Sequence, residues 1–231
     1  MGDCQSHVRD HHSLLASSEK RLLVWLAHRL PACTTSDHLT LLALVAMAVA
    51  GGAYAAARWD GRALWVVVAA LAVNWFGDSL DGTLARVRRA ERPRYGYYVD
   101  HVLDIVGISL LVAGLACSGF MTPVVALVLL AAYLLVAAEV FLATTAHGVF
   151  RMSFLGLGPT ELRILLAIGT FALAGDPHVD LGALGRHRLF DVGGTVGAAG
   201  LLVALVSAVV ANTRTLARAE PPHSLNTSTG R

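Results

Sequence analysis

Residues 63–104 read ALWVVVAALAVNWFGDSLDGTLARVRRAERPRYGYYVDHVLD. An apolar run ends on Gly77, aspartates follow at Asp78, Asp81, Asp100 and Asp104, and Arg86, Arg88, Arg89, Arg92 and Arg94 lie between the two acidic pairs. On a helix, residues three apart sit about 60° from each other and residues four apart about 40°. Asp78 and Asp81 therefore share one helical face, as do Asp100 and Asp104. Pro93 and Gly96 mark a short turn between the pairs. Two helices joined in this way run antiparallel and bring four carboxylates to one end.

The rest of the chain places those helices in a bilayer. Of 231 residues, 55% are hydrophobic and 15% charged, and the mean hydropathy is +0.61, too apolar for a soluble domain of this length. Apolar stretches recur at 39–57, 63–77, 102–121, 123–138, 162–175 and 192–211. They predict an all-α integral membrane protein with six transmembrane helices, preceded by an N-terminal interfacial amphipathic helix at 18–30. Several stretches are shorter than the ~20 residues that cross a bilayer, so their helices are expected to extend through Asp78, Asp81, Asp100, Asp104 and Glu139. The organisation read from this pattern is a cytoplasmic segment at 1–37, a six-helix membrane domain at 38–213 and a polar, disordered cytoplasmic tail at 214–231. In the segment at 18–30, Leu22, Trp25, Leu26 and Leu30 fall on one face and Lys20, Arg21 and Arg29 fall away from it, before Pro31 stops the helix. It is expected to lie on the inner leaflet, with docking on the bundle as the alternative.

Orientation follows from the basic residues. With the N-terminus inside, only Arg58, Arg62, Arg186 and Arg188 of the 18 Lys and Arg fall outside, which puts both termini in the cytoplasm. A net charge of +2 argues against a nucleic-acid binder. Cys4, Cys33 and Cys117 lack the spacing of a disulfide framework or a zinc site. His7, His11 and His12 near Cys4 read as a solvated tail rather than a metal site.

Four acids at membrane depth repel one another and are costly to desolvate unless neutralised. One or two hard divalent cations, Mg²⁺ or Mn²⁺, meet that need, since both favour oxygen ligands and accept phosphate and water beside them. Gly82 and Ala85 continue the acidic face, four residues after Asp78 and Asp81. They leave a bare helix surface on which a flat group or a phosphate can approach the backbone. Arg86, one turn beyond Gly82, suits phosphate with its planar donor fork. Together these residues describe a site for a nucleoside diphosphate and its metals. The small residues alone would read as helix packing, with acids lining a water-filled cavity.

The pattern Asp78-x2-Asp81-Gly82-x2-Ala85-Arg86-x9-Gly96-x3-Asp100-x3-Asp104 resembles the complete signature of the CDP-alcohol phosphotransferases, membrane enzymes of phospholipid synthesis. The resemblance implies a homodimer in the plasma or inner membrane, each protomer with a catalytic cavity open to the cytoplasm. It implies that Asp78, Asp81, Asp100 and Asp104 bind two divalent metals, that Asp78, Gly82, Ala85, Arg86 and Gly96 hold the CDP moiety, and that Asp104 is the usual candidate base. The implied reaction takes a CDP-alcohol donor, a hydroxyl-bearing acceptor and membrane lipids, forms a phosphodiester and releases CMP.

Several readings stay open beside it. His101, with an imidazole pKa near ~6.5, competes with Asp104 as general base. The Asp100-His101-x-x-Asp104 ending is similar to that of the eukaryotic choline and ethanolamine phosphotransferases, where the histidine is implicated in catalysis. Gly158-Pro159-Thr160-Glu161 reads as a helix start, and Glu161 and Arg163 are either part of that signal or contacts for substrate at the cavity mouth. Glu139 reads as an interhelical hydrogen-bond partner. An ion-coupled transporter leaves Gly82, Ala85, Arg86 and Gly96 without a reason. An intramembrane prenyltransferase also uses two acidic clusters, but ones set further apart. Whether the donor is CDP-diacylglycerol or a CDP-linked small alcohol is open.

Overall fold

The computed structural model describes residues 16–147 and 159–220. Its described helices are α1 (Ala16–Arg29), α2 (Ser36–Ala56), α3 (Ala63–Val87), α4 (Pro93–Ser118), α5 (Pro123–His147), α6 (Pro159–Gly175) and α7 (Leu189–Ala219). Strands β1 (His178–Asp180) and β2 (Arg186–Arg188) form a small antiparallel hairpin between α6 and α7. The expected all-α membrane architecture is present. Five of these helices, α2, α3, α4, α5 and α7, are long and apolar enough to cross a membrane. The sixth expected span, α6, has 17 residues, about 25 Å at 1.5 Å per residue, which is short of a ~30 Å hydrocarbon core. Six is therefore an approximate count. The helices do extend through Asp78, Asp81, Asp100, Asp104 and Glu139, and α7 runs on past residue 213 to Ala219. The cluster of Cys4, His7, His11 and His12, the tail from 221 and Arg151 lie outside the described residues.

Close backbone contacts set the helix positions. A β-carbon on Gly51 of α2 would strike the carbonyl oxygen of Leu110 in α4, and one on Gly114 would strike Gly51 itself. On Gly77 of α3 it would come within 2.6 Å of Leu39 O and 3.0 Å of Ala43 N in α2. Small residues at these crossings let polar backbones pack where apolar area gives no drive between helices in lipid. Helix α2 thus serves as the spine against which α3 and α4 lie.

The far half of the bundle is apolar, with Tyr54, Leu64, Val67, Leu71, Leu111, Leu115, Met121, Leu173 and Phe190 buried together. Its few polar groups are paired. The Tyr54 and Thr170 hydroxyls meet at 2.6 Å, and Asp191 accepts from the N–H and hydroxyl of Thr122 at 2.6 and 3.0 Å, tying the start of α7 to the turn before α5. At the other end, Glu139 accepts from Asn212 Nδ2 at 2.6 Å and links α5 to α7.

Helix α1 docks on the bundle. Leu23 and Ala27 are buried against Leu39, Leu80 and Leu84, with Leu26 and Leu30 partly buried beside them, while Leu22 and Trp25 stay exposed. The inward face is therefore turned from the expected Leu22–Trp25–Leu26–Leu30 stripe, because Leu80 and Leu84 of α3 offer a partner that periodicity within α1 does not reveal. Arg88 holds the end of α1, donating to the carbonyls of Leu30 at 3.1 Å and Pro31 at 2.9 Å and to that of Thr34, where a helix otherwise leaves acceptors unmet. Arg92 pairs with Asp37 at the start of α2.

Adjacent glycines give a test of the spine. Gly52 has open space where its β-carbon would be, so Gly52→Ala should leave the melting temperature in detergent unchanged. Gly51→Ala should lower it, by an amount equivalent to about 1–3 kcal/mol of overpacking. Equal melting temperatures for the two variants would refute the close crossing.

Candidate active site

Three helix ends build the site. The Gly77 contact seats α3 on α2, and Asn74, one turn before Asp78, donates from Nδ2 to Ala43 O at 3.0 Å. Gly107 of α4 packs on Met47 of α2, where a β-carbon would be 3.2 Å from Met47 Cγ. These contacts turn the C-terminal half of α3 and the N-terminal half of α4 toward one cleft, lined by Thr40, Met47, Asn74, Asp78, Asp100, Asp104 and Gly107 among others. One carboxylate oxygen from each of Asp78, Asp100 and Asp104 lies within 4.8 Å of the others. Asp78 and Asp100 are half-buried and Asp104 is exposed. This is a hard-oxygen donor set of the kind Mg²⁺ and Mn²⁺ take, and the three residues fit such an ion.

The fourth aspartate stands apart. Asp81 is buried; its Oδ2 accepts from the Thr40 hydroxyl at 2.7 Å, its Oδ1 accepts from the Gly82 N–H, and its backbone oxygen accepts from Ser36 Oγ at 3.0 Å. Its helical face is the one shared with Asp78, but its carboxylate is turned to α2 and lies outside the three-carboxylate cluster.

The remaining motif positions leave room. Among the described residues, a β-carbon on Gly82 would meet only Arg86 Nη1, at 3.7 Å, and one on Gly96 would meet nothing within 4 Å. Ala85 is half-buried, and Arg86 is exposed, with Nη2 donating to Thr83 Oγ1 at 3.2 Å. In contrast to the helix crossings, no packing demand from the described residues explains the small side chains at 82 and 96.

His101 faces elsewhere. It is buried, its Nδ1–H donates to Tyr97 O at 2.8 Å, and its ring packs on Tyr97 and edge-on to Phe141 of α5, with centroids 4.2 and 5.5 Å away. Asp100 Oδ2 lies 3.6 Å from the same nitrogen. Neither ring nitrogen joins the carboxylate cluster.

Of the residues around the site, the sequence singles out Arg163, as part of a helix start or a substrate contact, and leaves out Asn74, Thr40 and Glu19; the protein partners of all four appear only in the fold. Arg163, in the first turns of α6, donates from Nη2 to Asp78 Oδ2 at 2.6 Å and from Nε to Asn74 Oδ1 at 2.7 Å. Asn74 had a usable signal, a polar residue four before Asp78 on the same face. Thr40 had none, because a threonine in an apolar helix is ordinary. Glu19 of α1 accepts through Oε1 from Trp75 Nε1 at 2.8 Å and Thr160 Oγ1 at 2.9 Å, joining α1, α3 and α6. Helix α6 does open at Pro159; Gly158 and the Glu161 side chain lie outside what is described.

Among curated proteins none matches the chain. The model of the CDP-alcohol phosphatidyltransferase family matches it over residues 33–215, a span that holds the spine helix, all four aspartates, the open glycines and Arg163. The chain therefore belongs to the CDP-alcohol phosphatidyltransferases, a transferase family of membrane phospholipid synthesis.

Proposed function

We propose that the chain transfers the substituted phosphate of a CDP-alcohol to an acceptor hydroxyl. The acceptor oxygen bonds to the phosphorus, the bond from that phosphorus to the oxygen of the CMP phosphate breaks, and a phosphodiester and CMP are the products. The observation that carries this reading is the meeting of Asp78, Asp100 and Asp104 in one cleft, next in sequence to an open helix surface at Gly82. The protein is proposed to act as a homodimer in the plasma or inner membrane, with both termini and the cleft toward the cytoplasm. The five arginines from Arg86 to Arg94, between the two helix ends that carry the carboxylates, support that orientation.

Asp78, Asp100 and Asp104 would hold Mg²⁺ or Mn²⁺, with Asp81 completing the family's set for a second ion. A cation bound there supplies neutralisation of the diphosphate and of the departing CMP. The chain's own groups do the rest. Gly82 and Gly96 leave backbone accessible to the nucleotide, Ala85 keeps the helix surface between them low, and Arg86 offers its remaining N–H groups to a phosphate. Asp104, the most open of the three carboxylates, takes the proton of the acceptor hydroxyl. His101 steadies the turn that carries Asp100 through its bond to Tyr97, a supporting role consistent with its burial against Phe141.

Purified protein incubated with Mg²⁺ or Mn²⁺ and matched panels of CDP-alcohol donors and hydroxyl acceptors should release CMP, and mass spectrometry of the lipid product identifies both halves. Asp78→Asn and Asp100→Asn should each lower turnover by about a hundredfold or more while membrane insertion persists; full activity in EDTA would sink the metal assignment. Nucleotide grip is read by calorimetry. Gly82→Leu should abolish CDP-alcohol binding, and Arg86→Ala should weaken it by about tenfold, the worth of one charge-assisted hydrogen bond; wild-type affinity in both would mean the donor lies elsewhere. For the proton, Asp104→Asn should remove transfer where donor still binds, whereas His101→Gln should keep most of the rate and the wild-type pH profile. A greater loss in His101→Gln, with wild-type activity falling below the imidazole pKa, would reverse that assignment.

A further inference from the structure

We infer that Arg163 is a positioning residue for Asp78: its guanidinium, anchored on Asn74, holds one carboxylate oxygen so that Asp78 meets Asp100 and Asp104 in a single orientation. This inference rests on the proposed transfer for its kinetic consequence, but the contacts that motivate it stand independently. Asn74 and Asp78 are one turn apart on α3, and Arg163 reaches both from α6, with Nε on Asn74 Oδ1 at 2.7 Å and Nη2 on Asp78 Oδ2 at 2.6 Å. The Arg163 and Asp78 side chains are only 16% and 20% exposed, so solvent screens the pair weakly. Because Asn74 must point Nδ2 at the Ala43 carbonyl, its oxygen has to face Arg163. The amide is thus fixed by α2 and in turn fixes one edge of the guanidinium. A planar fork held at two points cannot rotate about the third, and the carboxylate it grips inherits that restraint.

The start of α6 is itself tied down. Thr160, one turn before Arg163, and Trp75, next to Asn74, both donate to the same oxygen of Glu19. Two polar ties therefore join α3 and α6 within one turn of each other, one closed by α1 and one by Arg163.

Electrostatics separates positioning from simple affinity. A guanidinium beside three carboxylates opposes a divalent cation entering among them, so a site selected only for tight metal binding would lack Arg163. Groups that orient metal ligands typically matter about 10–100-fold in metal affinity or activity; at Arg163 the charge itself works against affinity, so the gain from orientation falls on the rate. A competing role is direct contact with substrate, since Arg163 Nη1 is buried without a hydrogen-bond partner among the described residues.

The test compares Arg163→Gln, Arg163→Lys and Asn74→Leu in the full-length protein, with Mn²⁺ affinity measured by calorimetry without substrate, and kcat and donor KM measured separately. Arg163→Gln should bind Mn²⁺ as tightly as wild type or more tightly, because a repelling charge is gone, yet lose about tenfold or more in kcat with little change in donor KM. Arg163→Lys should return Mn²⁺ affinity to the wild-type value but recover only part of the rate, since a point charge cannot hold Asn74 and Asp78 together. Asn74→Leu should lower kcat in the same direction, and the double variant Asn74→Leu with Arg163→Gln should be no slower than Arg163→Gln alone. Weaker Mn²⁺ binding in Arg163→Gln would reduce Arg163 to a structural tie, and a raised donor KM with kcat intact would put it on substrate; either result overturns the inference, as does full recovery by lysine. If wild-type protein binds Mn²⁺ but releases no CMP from any donor, the proposed transfer fails by itself, and the inference is decided on Mn²⁺ binding alone: affinity in Arg163→Gln equal to or above wild type supports it, and weaker affinity overturns it.

Discussion

At the crossing of α2 and α4 there is no space for a β-carbon on either Gly51 or Gly114, and at the crossing of α2 and α3 none on Gly77. Everything that brings the carboxylates together depends on this. In lipid, burying a leucine against another helix gains little over burying it in acyl chains, so close packing and backbone approach have to locate the helices. With α3 and α4 both seated on α2, the position of each along that spine is settled by a few contacts. Moving α4 by one residue would rotate Asp100 and Asp104 by about 100° and scatter the cluster.

The cluster in turn imposes a polar requirement that the apolar half does not share. Asp78, Asp81, Asp100 and Asp104 enter helices that otherwise suit hydrocarbon, and a carboxylate there needs a partner or an aqueous opening. The chain uses different solutions at different positions. Asp81 is enclosed by Thr40 and the Gly82 N–H, Asp78 is paired with Arg163, and Asp104 stays exposed to the cleft. The gradation from satisfied to open gives the site its direction: chemistry belongs where a carboxylate still has room to take a new partner.

Much of this was legible in the residues because helical periodicity is strict. The two Asp pairs, the extension of apolar stretches through acids and the bare position at Gly82 all follow from spacing along one helix, whereas Gly96, read as part of a turn with Pro93, lies in the first turn of α4. What did not follow depends on neighbours far away in the chain. Arg163 lies 85 positions from Asp78, and nothing in either segment names the other. The same limit turned α1, whose inward residues were chosen by Leu80 and Leu84 rather than by its own apolar stripe, and it hid the choice Asp81 makes between Asp78 on its own helix and Thr40 on the next. His101 shows the limit within a single helix: its place 100° from Asp100 is readable, but only Tyr97 and Phe141 decide that this direction is an interior one.

Helix α1 gains its meaning from that long-range layer. A helix lying only on the leaflet would need an apolar stripe and a basic rim, and Glu19 would be out of place on it. In the bundle, Glu19 receives two hydrogen bonds from α3 and α6, which a carboxylate accepts more strongly than a neutral group does. The short α6 cannot be held by span length, as the longer helices are, because its 17 residues underfill a ~30 Å core. Its first turn is held instead by polar contacts, to Glu19 through Thr160 and to Asn74 and Asp78 through Arg163. The exposed Leu22 and Trp25 and the bundle-facing Leu23 and Ala27 then describe one helix with an open face and a docked face, and the docked helix reaches the carboxylate cleft through a chain of named hydrogen bonds.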